Sequence, residues 1–329
     1  MIQSFGLEQL PKSGSASKIG KSIVSIGVFD GVHVGHQAIL AANVALAKAH
    51  KLTSTVVTFA GHPKQILLGR APKTLTTISH RLALFERAGI EHTLVLEFTE
   101  ELRNMSAQDF LQKILLDGLH ADTFLLGFDS KFGRGQEGSA AFLEGQGQTV
   151  QVIDRVLARG RAASSTAIRE AVELGDLAGA GTMLGRRVSV LGHVIHGNAL
   201  GRTLGFPTAN LNLEHELHPP DGVYAGFARI LGDPEQRRFQ AMANIGQRPT
   251  IQSTNQGLQS NGLVEVHLLG LSEDLYDSQL EFEFVARLRE EQNFDGLEAL
   301  KTQLIADRKA TSDLLSEKAA DFGSGISSQ

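Results

Sequence analysis

Apolar and polar positions divide the chain into two parts with different patterning. Over residues 22–185, short apolar runs that predict strands alternate with segments of helical period. Strands are predicted at residues 23–29, 54–59, 93–98, 123–127 and 149–153, and helices at residues 37–50, 79–88, 107–116, 165–174 and 177–184. Such alternation favours a parallel sheet covered by helices on both faces. We therefore predict an α/β domain over residues 1–184.

Beyond Gly185 the predicted strands follow one another without helices between them. They cover residues 188–195, 223–230, 239–244, 263–269 and 280–288, and a single helix is predicted at residues 294–307. This pattern is typical of an antiparallel barrel or sandwich capped by one helix. We assign a second domain to residues 185–309 and predict that residues 310–329 form a disordered tail.

The composition excludes several classes of protein and partner. A net charge of −5 gives no basic surface for nucleic acid, and no apolar segment has the length of a signal peptide or a membrane span. The chain has no cysteine, which excludes disulfides and thiolate metal ligands and fits a reducing compartment. We expect a soluble cytoplasmic protein without a membrane partner. The sequence does not decide between a monomer and a homo-oligomer.

The segment from Gly27 to His36 predicts an anion site at the start of a helix. It follows a strand, turns at glycines and leads into the helix predicted at residues 37–50. Unpaired N–H groups and the positive end of the helix dipole favour a phosphate there. His33 and His36 flank Gly35, and their imidazoles could donate to phosphate oxygens as charge develops. The alternative is that one histidine caps the helix and the other is solvated.

Two glycine-containing segments imitate nucleotide-binding motifs. Residues 15–22 end in Gly-Lys-Ser as a Walker loop does, but they lack its first glycine and precede a strand. Residues 133–138 have the pattern Gly-x-Gly-x-x-Gly, with Asp154 at the expected spacing, but they do not begin at the end of the preceding strand. A nicotinamide oxidoreductase is therefore a weak alternative.

The segment Gly-Arg-Thr-Leu-Gly-Phe-Pro-Thr-Ala-Asn at residues 201–210 predicts a cation site. In an extended backbone, residues i and i+2 face the same side. Thr208 and Asn210 then present two neutral oxygen ligands together, which suits Mg²⁺ bound to a nucleotide. Glu265 and His267 likewise share one face of an alternating strand, where a carboxylate could accept a proton from a substrate hydroxyl. The alternative is that Glu265 points to solvent.

The segment at residues 27–36 and a further segment at residues 164–169 resemble known motifs of one superfamily. Gly-Val-Phe-Asp-Gly-Val-His-Val-Gly-His at residues 27–36 resembles the phosphate-binding motif of nucleotidyltransferases related to class I tRNA synthetases, and Ser-Ser-Thr-Ala-Ile-Arg at residues 164–169 resembles their second motif. The resemblance implies a Rossmann-like α/β nucleotidyltransferase fold with catalytic His33 and His36. It also implies an ATP site formed by Gly27, Phe29, Asp30, Gly35, Ser164, Ser165, Thr166 and Arg169. Without the resemblance, residues 164–166 would be an ordinary helix cap.

Two further stretches resemble bacterial FAD synthetases. Residues 127–135 are similar to the flavin-contacting stretch of that family, and residues 59–63 to its Pro-His-Pro turn. The resemblance implies flavin contacts from His62, Asp129 and Phe132. Two positions depart from the pattern, because Ser130 replaces a usual phenylalanine and Gly61 a usual proline.

The second half of the chain resembles riboflavin kinase over residues 193–210, 222–226, 244–250, 265–269 and 288–294, in the order of that family. The resemblance implies a barrel in which Glu265 is the general base and Thr208 and Asn210 hold the metal. It also implies a loop over the ATP phosphates containing Gly197, Gly201 and Arg202, and flavin contacts from Arg289 and Phe294.

Together these segments resemble the bifunctional riboflavin kinase/FMN adenylyltransferases, the prokaryotic FAD synthetase family. The resemblance implies that riboflavin is phosphorylated by ATP to FMN in the barrel, and that FMN receives AMP from a second ATP in the α/β domain. Its ligands would be riboflavin, FMN, FAD and ATP, with Mg²⁺ at both sites. The alternative from another class is a flavin- or nucleotide-binding module without catalysis, against which the intact His33, His36, Thr208, Asn210 and Glu265 argue.

Overall fold

A computed structural model of the chain describes residues 1–10, 20–60, 73–196, 200–246, 263–271 and 273–322. The predicted site residues His62 and Gly197 lie outside these ranges. Contacts divide the chain into two compact units, residues 1–165 with 183–185 and residues 166–182 with 186–329. Most of the helices Ser165–Glu173 and Leu177–Leu184 falls in the second unit, although we expected them to close the first. A domain boundary at residue 184 therefore stays a prediction.

The first unit contains a parallel sheet, as predicted, with six strands instead of the five that the sequence indicated. Its strands are β1 (Ile2–Phe5), β2 (Ser22–Ile26), β3 (Thr53–Ala60), β4 (His92–Glu97), β5 (Ala121–Gly127) and β6 (Thr149–Ile153), in the spatial order β1-β4-β3-β2-β5-β6. Its helices are α1 (Val34–His50), Ile78–Arg87, Glu100–Asn104, Ala107–Asp109, which continues as the π-helix Phe110–Leu116, and Ala140–Gly145. Two short strands, β7 (Leu157–Ala158) and β8 (Arg161–Ala162), form a hairpin after the sheet.

Both faces of the central part of the sheet are buried, which explains why the central strands β2 to β5 contain continuous apolar runs. Neighbouring residues of one strand enter different hydrophobic clusters, Val24 on one face and Ile23 on the other. Val57 and Val56 of β3 divide in the same way. A parallel sheet covered on both faces has this pattern because successive side chains point to opposite sides.

The strand β1 was not predicted. Its sequence, Ile-Gln-Ser-Phe, is not an apolar run like those of the central strands, and only Ser4 of its four residues is buried. It joins the sheet by pairing with β4, and the Ser4 hydroxyl lies 3.1 Å from Nε2 of His92. Its position depends on a partner strand about 90 residues away, which a local pattern does not reveal.

His92 gives this unit a predicted dependence on pH. Burial lowers the pKa of His92 from 6.5 to about 4 because desolvation disfavours the imidazolium. The stability contributed by neutral His92 is fully present above the pKa of the unfolded state. As the pH falls from there to the pKa of the folded state, only the unfolded chain takes up the proton, and this stability is lost. The expected loss is about 3 kcal/mol at roughly 1.4 kcal/mol per pKa unit.

Urea unfolding near neutral pH and near the folded pKa tests this expectation with His92→Gln, which cannot titrate. The variant should lose less stability on acidification than the wild type, and the exposed control His50→Gln should behave as the wild type does. Equal acid sensitivity of His92→Gln and the wild type would contradict the prediction.

The second unit is a closed antiparallel barrel, which decides between the barrel and the sandwich. Its strands are β9 (Ser189–Ile195), β10 (Ala209–Asn212), β11 (Gly222–Ile230), β12 (Phe239–Gly246), β13 (Leu263–Leu268) and β14 (Gln279–Arg289), in the closed order β10-β13-β12-β11-β14-β9. Every strand pairs antiparallel with both neighbours. The closed order removes free sheet edges.

The C-terminal helix is longer than we predicted. It runs over Leu297–Phe322, so the prediction that residues 310–322 belong to a disordered tail is wrong. Thr311 and Leu315 are fully buried, and Leu315 packs with Ala225 and Phe227 of β11. The apolar contact with the barrel stabilises this part of the helix. Residues 323–329 lie outside the described part of the chain.

Candidate functional site

Two glycine-containing segments meet where the strand order of the parallel sheet reverses. β2 lies between β3 and β5, and the chain leaves β2 through α1 to reach β3 on one side. Ligands of open α/β sheets bind at the carboxyl ends of the strands at such a point. The predicted phosphate segment follows β2, and the predicted flavin segment follows β5. The topology therefore brings these two segments to one edge of the sheet.

His33 is the N-cap of α1. This agrees with the part of the alternative interpretation in which one of the two histidines caps the helix. Its Nδ1 accepts from the backbone N–H groups of Gly35 and His36, at 3.2 and 3.4 Å. Because Nδ1 accepts, the proton of neutral His33 is on Nε2. The His36 ring stacks on His33 with 3.6 Å between the centroids. A Cβ at Gly35 would lie 3.1 Å from the His33 ring, so glycine permits this close arrangement.

Phe29 packs against His36, one member of the histidine pair. Its side chain is 3% exposed, and its ring contacts Phe85 and His36 edge-on, with centroids 5.6 and 5.1 Å away. A Cβ at Gly27 would lie 3.0 Å from the Phe29 ring. The side chain of Phe29 is thus a packing element, and an ATP contact of this residue could come only from its backbone.

Asp30 uses its polar groups within the protein. Its carboxylate accepts from the backbone N–H groups of Leu75 and Thr76 at 3.0 Å each, and its backbone carbonyl accepts from the Ser165 hydroxyl at 2.9 Å. The two carboxylate bonds tie the segment after β2 to the loop at residues 74–77, and the bond from Ser165 ties it to the start of the helix Ser165–Glu173. An ATP contact by the Asp30 carboxylate would have to replace them. Nucleotide contacts by Ser164, Ser165, Thr166 and Arg169 stay predictions.

The two predicted flavin residues after β5 differ in exposure. Asp129 is exposed in the turn, whereas the Phe132 ring is buried, with its centroid 5.4 Å from that of Phe110 in the core. The exposed ring at this edge belongs instead to Phe128, which is 48% exposed and has the Arg155 guanidinium 4.6 Å from its centroid. We did not predict Phe128, because it occupies a variable position of the motif.

In the barrel, five predicted site residues line one cavity of about 320 Å³, which we call the first cavity. They come from separate segments of the chain and are Gly201, Thr208, Glu265, Arg289 and Phe294. The first cavity is lined mainly by apolar atoms with a small number of polar groups, as is usual for a small-molecule site.

The register of the strands places the predicted metal ligand Asn210 beside the predicted base. Asn210 on β10 pairs with Glu265 on β13, and Glu265 also pairs with Asn244 on β12. Asn210 is 5% exposed, and its Oδ1 is a buried acceptor with no hydrogen-bond partner among the described residues. A buried acceptor without a donor is costly, so this atom fits a cation ligand.

A tight loop precedes these residues. The Phe206 N–H donates to the Gly201 carbonyl at 2.7 Å, and a Cβ at Gly201 would collide with the Phe206 carbonyl. Arg202, one residue on, lines a second cavity of about 530 Å³ together with Thr208 and Tyr276. Thr208 therefore belongs to the walls of both cavities. The Tyr276 ring lies 3.8 Å from the His196 ring, and we predicted neither residue as part of a site.

Arg289 and Phe294 contact each other at the rim of the first cavity, with 5.6 Å between the guanidinium and the ring centroid. The orientation of Arg289 is set by Asp307 on the C-terminal helix. Nε and Nη2 of Arg289 donate to the Asp307 carboxylate at 3.1 and 2.8 Å, and Gln303 donates to the same carboxylate at 2.8 Å. Asp307 is 4% exposed and lies 18 residues after its partner, so no local spacing could have identified it.

Comparisons with known proteins agree on both halves of the chain. Residues 15–167 match the family model for FAD synthetase, and residues 184–315 match that for riboflavin kinase. A bifunctional riboflavin kinase/FMN adenylyltransferase of Pseudomonas fluorescens is 37% identical over 90% of this chain and 94% of its own length. The protein of that name from Escherichia coli K12 is 33% identical over 92% of this chain and 93% of its own.

Similarity to a solved structure also extends over nearly the whole chain. A macrolide-efflux protein from Streptococcus pneumoniae has a TM-score of 0.75 and 29% identity, covering 95% of this chain and 99% of that protein. With both family models and the curated relatives in agreement, the chain belongs to the family of bifunctional riboflavin kinase/FMN adenylyltransferases.

Proposed function

We propose that this protein makes FAD in two steps, phosphorylating riboflavin to FMN in the barrel and adenylylating FMN in the α/β unit, with ATP as co-substrate of both. The observation that carries the proposal is the first cavity, which brings together five residues predicted from the sequence for riboflavin kinase chemistry. Phosphoryl transfer depends mainly on positioning and charge, and the cavity walls supply residues for both.

In the barrel, riboflavin occupies the first cavity and ATP the second, with Thr208 in the wall that they share. Glu265 accepts the proton of the ribityl hydroxyl as that oxygen attacks the γ-phosphorus. Arg289 and Phe294 hold the flavin end, and Arg202 contacts the phosphates from the second cavity. Thr208 and Asn210 would hold Mg²⁺, which would supply positive charge against the transferred phosphoryl group.

In the α/β unit, the start of α1 binds the phosphates of ATP, and Nε2–H of His33 donates to an oxygen of the α-phosphate as charge builds up there. His36 stacks on His33 and also donates to the phosphate oxygens. The phosphate of FMN attacks the α-phosphorus directly and pyrophosphate leaves. The described residues around His33 offer no activated nucleophile for a covalent intermediate.

We place both reactions in the cytoplasm. The chain contains no cysteine, which fits this reducing compartment.

None of the described helices is long and apolar enough to span a bilayer.

Incubating the full chain with riboflavin and MgATP, and following FMN and FAD by chromatography, tests the proposed function. FMN should appear first and FAD should follow. Binding of flavin without turnover would favour a module that has lost catalysis. If the chain neither bound flavin nor converted it, the role in the name of the pneumococcal structure would become the alternative to test. That role is not our proposal, because both family models and the curated relatives agree on flavin chemistry.

Asp307→Asn should weaken the binding of riboflavin. The change removes the charge that orients Arg289, and a hydrogen bond between charged groups contributes about 1.5–3 kcal/mol. We expect KM for riboflavin to rise about tenfold or more, with a smaller effect on kcat. Steady-state kinetics of FMN formation measure both constants, with the exposed Asp295→Asn as control. An unchanged KM would show that Asp307 only attaches the helix to the barrel.

A further inference from the structure

His267 connects the strand that carries Glu265 to the turn that carries Thr208. Its side chain is 6% exposed, and its Nδ1 lies 2.8 Å from the carbonyl oxygen of Pro207. A carbonyl oxygen can only accept, so the proton of the neutral imidazole must be on Nδ1. His267 thus has the opposite tautomer to the one that the cap of α1 requires of His33.

The backbone explains why a side chain makes this bond. The ladder between β10 and β13 ends at the pair Ala209 and Val266. Pro207 lies beyond that pair and has no N–H, so it cannot donate to continue the ladder. Its carbonyl is instead held by the imidazole of His267. Thr208 is therefore fixed on one side by the ladder and on the other by this bond.

We propose that His267, protonated on Nδ1, is a positioning residue of the phosphoryl-transfer site that sets Thr208 relative to Glu265. The proposal rests on the kinase function proposed above. His267 lines the first cavity beside Thr208 and Glu265, and its ring also lies 5.3 Å from that of Phe206, next to Pro207. Loss of its donor releases the turn, so the effect falls on the geometry around the phosphates. A misplacement of about 1 Å can cost about 10²-fold in rate.

The amides of Asn and Gln distinguish the two imidazole nitrogens. The Asn amide nitrogen can take the place of Nδ1, whereas that of Gln reaches to the place of Nε2. His267→Asn therefore keeps the donor to Pro207, while His267→Gln and His267→Leu remove it.

The experiment compares the full-length wild type with these three variants. The rate of FMN formation gives kcat, and calorimetric titration of ADP at several Mg²⁺ concentrations gives metal-dependent nucleotide binding. Thermal unfolding, together with FAD formation from supplied FMN, shows whether each variant is folded. We expect His267→Gln and His267→Leu to lose about 10²-fold in kcat and to weaken the Mg²⁺-dependent binding of ADP. His267→Asn should stay within a few-fold of the wild type, and all variants should make FAD from FMN.

Equal behaviour of His267→Asn and His267→Gln would overturn the proposal, as would a lower melting temperature with unchanged kcat and nucleotide binding. If His267→Leu fails to fold, the Asn and Gln pair still decides the outcome. A wild type that makes no FMN would instead refute the kinase function, so the two failures are distinguishable.

Discussion

Glu265→Gln should reduce riboflavin phosphorylation by about 10²–10⁴-fold, the usual contribution of a general base. The amide keeps the size of the carboxylate but cannot accept the proton of the attacking hydroxyl. Glu265 lines the first cavity on the same strand face as His267 and opposite Asn210 in the register, which places a carboxylate beside the predicted metal ligand. Because the change leaves the shape of the cavity intact, KM for riboflavin should change little.

Steady-state rates of FMN formation measure this effect, and FAD formation from supplied FMN should be unaffected. Glu298→Gln, on an exposed position of the C-terminal helix, is the matched control and should retain wild-type kinetics. If Glu265→Gln produced FMN at the wild-type rate, Glu265 would not be the base, and the alternative that it is a solvated strand residue would be correct.

The double change of His33→Asn with His36→Ala should abolish FAD formation while FMN continues to accumulate. Removal of one donor to a developing anion costs about 10²–10³-fold, and this variant removes both rings. Asparagine is a good N-cap, so it replaces the capping function of the His33 Nδ1 while removing Nε2–H. The variant thus separates capping from catalysis, which an alanine at position 33 would not do.

The matched control is His50→Ala, an exposed histidine at the other end of α1. Rates of FAD formation from FMN and MgATP, with thermal unfolding to verify the fold, decide the outcome. FAD formation near the wild-type rate in the double variant would show that the histidine pair only begins the helix. A loss of FAD formation in the control as well would point to a general destabilisation of α1.

Several of the predicted site residues that the structure brings together in the barrel were indicated by the local pattern of their own segment. Thr208 and Asn210 are separated by the period of a strand, and Glu265 alternates with valines that enter the core. The sequence did not indicate Asp307 or Tyr276. Asp307 is identified only by its hydrogen bonds with Arg289, and Tyr276 only by its ring contact with His196, and both partners lie in other segments of the chain. It also selected Phe132, which packs in the core, and omitted Phe128, whose ring is exposed.

The sequence by itself determined the features that depend on local periodicity and local capping. These are the apolar central strands of the sheet, the helix α1, for which a histidine cap was one of two alternatives, and five of the six barrel strands, since β10 was not predicted. Only the tertiary structure decided that β1 joins the edge of the sheet beside β4, that the barrel closes through β9 and β10, and that the last helix continues to Phe322. Each of these is stabilised by residues distant in the chain, whose apolar burial and hydrogen bonds exist only after the partners have met.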